Sequence, residues 1–296
     1  MNNDSPTSDP SPPVRRRIRL RRAAGTLLRS FVPPKSGVDL AETDMVVTDA
    51  HFAAPLCRNC GKPCTTPYCS GCGQGMSKRL SYGDLWQEFW QSKRLFQMGV
   101  LHTLLRLFTQ PGVVAREYVL GARKRHVHPF TLLVFAVGLL VLMLGRTNYL
   151  LAGQEQLGPV MAQVATWSRW SFTLGLFALF IAGLVVFWRR LGYNPVETLV
   201  MATYTQIGVI IVNLINMLPL LIWDSSATVA RHRALSANYM NVVELAVVAL
   251  AFHQFFRIRL REEWWRLLLA LALYYAAKEL LLHLYGRLVV RIVLGL

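Results

Sequence analysis

The sequence predicts an all-α membrane protein with about five transmembrane helices, preceded by amphipathic interfacial helices and a small cysteine-held ribbon. Three observations lead to this reading. Apolar residues make up 53% of the chain and charged ones only 16%, a balance outside the range of ordinary soluble domains. In the second half the apolar residues gather into segments of about 20, the length that crosses a hydrocarbon layer of about 30 Å. All five cysteines lie within residues 57–72, as two CxxC pairs and one extra thiol.

Residues 1–55 are expected to be a disordered basic and Pro-rich tail. "MNNDSPTSDPSPPV" has no apolar core segment, which argues against a secretory signal peptide. "RRRIRLRRAAGTLLRSFV" suits contact with anionic headgroups. An organellar transit peptide is the alternative, and Asp4, Asp9 and the prolines oppose it.

Residues 56–76 form the ribbon. In "CRNCGKPCTTPYCSGCGQ" the pairs Cys57/Cys60 and Cys69/Cys72 are each followed by glycine, Gly61 and Gly73. Two such turns face to face offer four sulfurs to a tetrahedral Zn(II), and glycine lets each turn take positive φ and aim amides at sulfur. With four protein ligands the zinc is structural, since a catalytic ion keeps a position open for water. An iron–sulfur cluster and redox chemistry at one CxxC are the alternatives. Cys64 either replaces one ligand or remains a free thiol beside the site, with the symmetric four favoured, and His51 is a distant substitute ligand. The segment is too small to fold on an apolar core, so the metal supplies its stability.

Residues 80–126 read as interfacial helices. "SYGDLWQEFW" opens with a Ser-x-x-Asp cap and places Leu85, Trp86, Phe89 and Trp90 on one stripe. Further short helices are expected over "GVLHTLLRLFTQPG" and from Pro111 to about Gly121. None is long enough to span, and their Trp and Arg flanks suit a helix lying in the headgroup layer. Arg123, Lys124 and Arg125 are candidate lipid-headgroup contacts, as are His126 and His128.

Residues 129–296 hold the bundle, with spans expected near 129–149, 170–188, 196–223, 239–256 and from 264 to 284 or beyond. The third is long, and Pro219 is expected to kink it. Basic loops before the first span, in "RRLGYNP" and over 257–266, alternate with loops poor in Lys and Arg. That places the N-terminus in the cytoplasm and, with five spans, the C-terminus on the outer side. The formal charge of +16 thus follows loop position, which does not point to nucleic acid. Membrane lipids are expected partners.

Ionisable or amide groups inside spans need a reason. Glu197, Asn213, Asn216, Lys278, Glu279 and His283 are candidates for a polar path, with Glu279 and His283 four apart on one helical face. The bland readings are an interfacial ion pair at Glu197, packing hydrogen bonds at the asparagines, and surface positions for the last three if the fifth helix leaves the membrane early. No catalytic triad, phosphate loop or HExxH is present in the sequence.

"YCSGCGQ", "RLSYGDLWQEFW" and "GVLHTLLRLFTQPGVVAREYVLGARKRHVHPF" together resemble a family of uncharacterised bacterial membrane proteins. These carry a CxxC…YCxxCGQ ribbon, a G-x-L-x-T…P-G…EY…G-x-R stretch and a helical membrane region. The likeness covers residues 57–135, and "YNPVETLVMATYTQIG" resembles a later segment, with Thr198 where His is common. The resemblance implies architecture and zinc, and no reaction. Three readings of function follow. A membrane scaffold or sensor would dock a cytoplasmic partner through its ribbon. A small transporter or channel would use the intramembrane polar groups. A membrane enzyme would act on lipid at the basic helices.

Overall fold

The computed structural model describes residues 46–91, 99–150, 152, 163–164, 167 and 171–294, so residues 1–45 of the tail expected over 1–55 lie outside it. Within the remainder of that tail Asp49–Ala53 is helical and Val47 is buried, its amide donating to Leu191 O at 2.8 Å. Among the described residues the chain is helical, with no strand. Its short helices are α1 (Asp49–Ala53), α2 (Tyr82–Gln91), α3 (Gly99–Thr109) and α4 (Pro111–Val119). The bundle helices are α5 (Pro129–Arg146), α6 (Leu174–Val186), α7 (Pro195–Met217), α8 (Ser226–Phe255) and α9 (Leu260–Leu294). The ribbon carries two isolated antiparallel bridges, Leu56 to Pro63 and Tyr68 to Gly75.

Among the described residues, four helical stretches are long and apolar enough to cross a membrane: Arg123–Arg146, Pro195–Leu221, Ser226–Phe255 and Leu260–Leu294. The expected second span is shorter. It comprises a turn at Ser171–Thr173 and the 13 residues of α6, about 20 Å at 1.5 Å per residue. α7 ends before Pro219, where a 3-10 turn at Leu218–Leu221 takes over. That is the break expected of proline, which removes a helix donor. α8 starts well before the expected 239: Ser225 caps it by accepting from the Thr228 amide at 3.3 Å.

α7 is the hub, packing against α3, α4, α5, α6 and α8. It is buried from Val196 through Ile210 apart from Leu199. Its threonines Thr203 and Thr205 donate to carbonyls one turn back, both at 2.8 Å, while the Tyr204 hydroxyl reaches out to Val127 O at 2.6 Å. Its start is fixed by a capping box. Asn194 accepts from the Glu197 amide at 2.8 Å, and Glu197 accepts from the Asn194 amide at 2.8 Å.

α4 departs from expectation. Expected in the headgroup layer, it is buried along nearly its whole length between α7 and α8. Gly112 permits this. A Cβ there would strike the Ala251 carbonyl oxygen and lie 2.7 Å from the Phe255 nitrogen. By contrast α2 does present an apolar outer face, with Trp86 and Trp90 62% and 67% exposed while Phe89 packs near Phe130 at the start of α5. Tryptophan at that level suits a membrane–water interface.

Candidate functional site

The ribbon brings its four paired cysteines together. Their sulfurs all lie within 4.8 Å of one another, with Cys57 to Cys72 and Cys60 to Cys69 both at 3.5 Å. Four sulfurs at 2.3 Å from a tetrahedral zinc would stand about 3.8 Å apart, so this set could hold a metal ion. Each turn is built alike. The Gly61 amide donates to Cys57 O at 2.8 Å and the Gly73 amide to Cys69 O at 2.7 Å. Both glycines have positive φ, 76° and 65°, which a side chain would resist.

The sulfurs are prepared by backbone donors. The amides of Cys72 and Gly71 donate to Cys69 and hold its thiol down at about 6. Burial pushes Cys57 up to about 12. Cys69 is thus readied as a thiolate, the Cys72 thiol is lowered too, and the buried Cys57 needs a cation beside it to lose its proton. Cys57, Cys64 and Cys69 are themselves the buried core of this segment, leaving no other apolar core to hold it. Cys64 stands outside the four and donates to Thr66 O at 3.5 Å. The His51 Nε2 meets Leu120 O at 3.1 Å, and His51 is not among the clustered donors.

The ribbon is bolted to the bundle. Gln74, next after the second CxxCG, donates to Gly121 O at 2.7 Å and accepts from the Lys124 amide at 2.9 Å. Ser77 donates to the same Gly121 O at 2.8 Å. Lys124 Nζ donates to Cys72 O, and Arg125 to Asn59 O at 3.3 Å. Arg123 pairs with Glu88. The basic run 123–125 therefore grips the ribbon and α2, where sequence reasoning placed it on lipid headgroups. Gly121, at φ +106°, lies so close to Arg58 and Ser77 that an added Cβ would stand 3.0–3.1 Å from them.

Beneath this joint sits a buried carboxylate that the sequence reading did not single out. Glu117 accepts from Arg106 at 2.8 and 3.0 Å and contacts His126 Nε2 at 2.7 Å. Burial pushes its carboxyl up, but His126 and Arg106 outweigh burial and hold it at about 2. His126 and His128 are both buried, not on the headgroups as expected. The available signal was a charge pair, Arg116–Glu117, inside the apolar stretch "PGVVAREYVL".

The six candidate path residues separate. Glu197 is wholly buried and pairs with Arg79 at 3.2 Å, so it serves the capping box and the ribbon joint. Glu279 and His283 are exposed on the outer face of α9. Asn213, Asn216 and Lys278 do share a cavity of about 280 Å³, together with Gln206, Arg233 and Glu244. Lys278 Nζ lies 2.7 and 2.8 Å from the Glu244 carboxylate, which also accepts from Tyr274. Gln206 Nε2 donates to Phe172 O at 2.7 Å. Its Oε1 is buried without a hydrogen-bond partner among the described residues. The cavity lies away from the ribbon: Tyr149, Ser171 and Met217, at the far ends of their helices, belong to its lining.

A family model described as a protein of unknown function (DUF3667) matches residues 98–141. That stretch contains Gly121 and the basic run, which meet the ribbon, and Gly112 and Glu117, which hold α4 within the bundle. No curated protein and no solved structure matches the chain.

Proposed function

We propose that the chain is a bacterial inner-membrane protein with its ribbon in the cytoplasm, holding structural Zn(II), and that its activity resides in the cavity facing the other side. On this reading it is a carrier or receptor for a small polar solute. The observation that carries it is the Glu244–Lys278 pair on the wall of a cavity inside spanning helices. Ionised groups in a bilayer cost about 2.5–3.5 kcal/mol each on insertion scales, and they face pathways and cavities when they persist. Arg233 and Lys278 outnumber Glu244, so the lining favours a negative group. Gln206 Oε1 asks for a donor. A small amino or hydroxy carboxylate meets both demands. Thermal unfolding of the full chain in detergent with a panel of such carboxylates tests this. At least one should raise the melting temperature of the wild type by mass action and leave the Glu244→Gln/Lys278→Met double variant unchanged. Absence of any shift, or equal shifts in both proteins, contradicts the reading.

The scaffold reading keeps one supporting observation. Tyr68 at the ribbon tip is 70% exposed, a side chain of the kind that anchors interfaces. Loss of cytoplasmic binding partners in Tyr68→Ala with zinc retained would favour it.

A further inference from the structure

A second cleft, of about 620 Å³, lies between α6 and α9 at the ribbon end of the bundle. Its floor is apolar, with Val185 on α6 and Leu269 and Leu273 on successive turns of α9. Its mouth carries Trp188, Trp265 and Arg266. Arg266 lies over the Trp265 ring at 5.2 Å and Arg189 over the Trp188 ring at 5.9 Å. Two arginine–tryptophan pairs thus flank an apolar trough.

The charge at this mouth is unbalanced. Segments 187–194 and 256–266 hold six arginines and two glutamates, a net +4. Glu263 alone serves two guanidiniums, Arg190 through two bonds of 2.6 Å and Arg266 at 3.0 Å. One positive charge at the cleft therefore stays unneutralised. Arg190 also donates to Phe256 O at 2.8 Å, which ties the two connecting turns together and fixes the cleft. Arg189 is held at φ +54°, a conformation costly for a side-chain residue, and it remains exposed beside Trp188.

We propose that this cleft is a binding site for one anionic phospholipid. The phosphate sits at Arg266, beside the lining Trp188 and its neighbour Arg189, and an acyl chain runs along Val185, Leu269 and Leu273. The order of polarity along the groove matches the lipid, with cations and indoles at headgroup level and aliphatic side chains below. Neither the ribbon nor the solute cavity takes part.

Native mass spectrometry of the full chain in detergent, titrated with phosphatidylglycerol or phosphatidylethanolamine, tests the proposal. Phosphatidylglycerol should bind first and at one copy. Arg189→Gln and Arg266→Gln should each weaken it about fivefold, the equivalent of about 1 kcal/mol per basic group at an anionic lipid. Arg261→Gln, an exposed arginine outside the cleft, should change it by less than about twofold, as a screened surface charge. Should Arg266→Gln fail to fold, Arg189→Gln carries the same test, because Glu263 keeps Arg190 and Arg266. Equal binding of the two lipids, or an Arg261→Gln effect as large as the cleft variants, overturns the proposal. So does competition by glycerol 3-phosphate at the same concentration as lipid, which would reduce the site to phosphate alone.

Discussion

The two ends of the bundle use polar residues differently. At the ribbon end each buried carboxylate meets arginine: Glu117 meets Arg106, Glu197 meets Arg79, and the largely buried Glu263 meets Arg190. Arg79 and Arg190 reach their carboxylates across 118 and 73 positions, and the carboxylates are closed in by packing. At the far end one ion pair, Glu244–Lys278, stands beside open space with asparagines and a glutamine whose oxygen is unmatched. The contrast separates polarity that builds a joint from polarity that lines a site. The first set is matched across helices, and the second stands beside a cavity inside the spanning helices.

If the ribbon end is structural, breaking it should cost stability in a graded way. Cys57→Ser should have the largest effect. Structural zinc contributes on the order of 10 kcal/mol to folding in small zinc peptides, and the buried apolar cluster of the ribbon consists of cysteines. Metal analysis should fall from one zinc per chain to none, and protease should cut within 56–76. Retention of zinc would break the ribbon's half of the contrast.

Glu117→Gln comes next, at about 3 kcal/mol, because it strands buried cations without their carboxylate. Its pH dependence has a definite sign. The carboxyl sits at about 2 in the fold against an ordinary 4.5. Its contribution is therefore full above about pH 4.5 and is lost as pH falls toward 2. Melting temperature measured across that window should fall more steeply in the wild type than in Glu117→Gln.

Gly112→Ala should cost about 1–3 kcal/mol by forcing α4 off α8, read as a lowered melting temperature. The smallest stability effect belongs to the far end. Asn213 donates only within its own helix, to Val209 O at 3.0 Å. Asn213→Ala should shift stability by less than about 0.5 kcal/mol while weakening any solute-dependent shift. A large loss of stability there would erase the difference between the two ends.

Local chemistry was legible in the sequence and long-range pairing was not. The CxxCG turns, their positive-φ glycines and the break at Pro219 all follow from single-residue constraints. The ribbon joint does not. Gln74 meets Gly121, and Arg79 meets Glu197, across more than forty and a hundred residues, and no periodicity encodes such a meeting. Burial of α4 was misread because an apolar stripe fits headgroups and helices equally well; only Gly112 hinted at close backbone approach. The start of α8 was missed because "SATVARHRALSANY" is too polar for a hydropathy reading, although a cap at Ser225 and good helix formers support it. At Glu244 and Lys278 the sequence offered both residues and not their pairing, since 34 positions separate them.

The central claim is that the far-side cavity is open to water from the face opposite the ribbon. Reactivity of Asn213→Cys in intact membranes toward a membrane-impermeant thiol reagent measures this directly. The account predicts modification from the face opposite the ribbon, with none when the reagent is confined to the ribbon face. A cysteine that reacts from neither face, or only from the ribbon face, would contradict it.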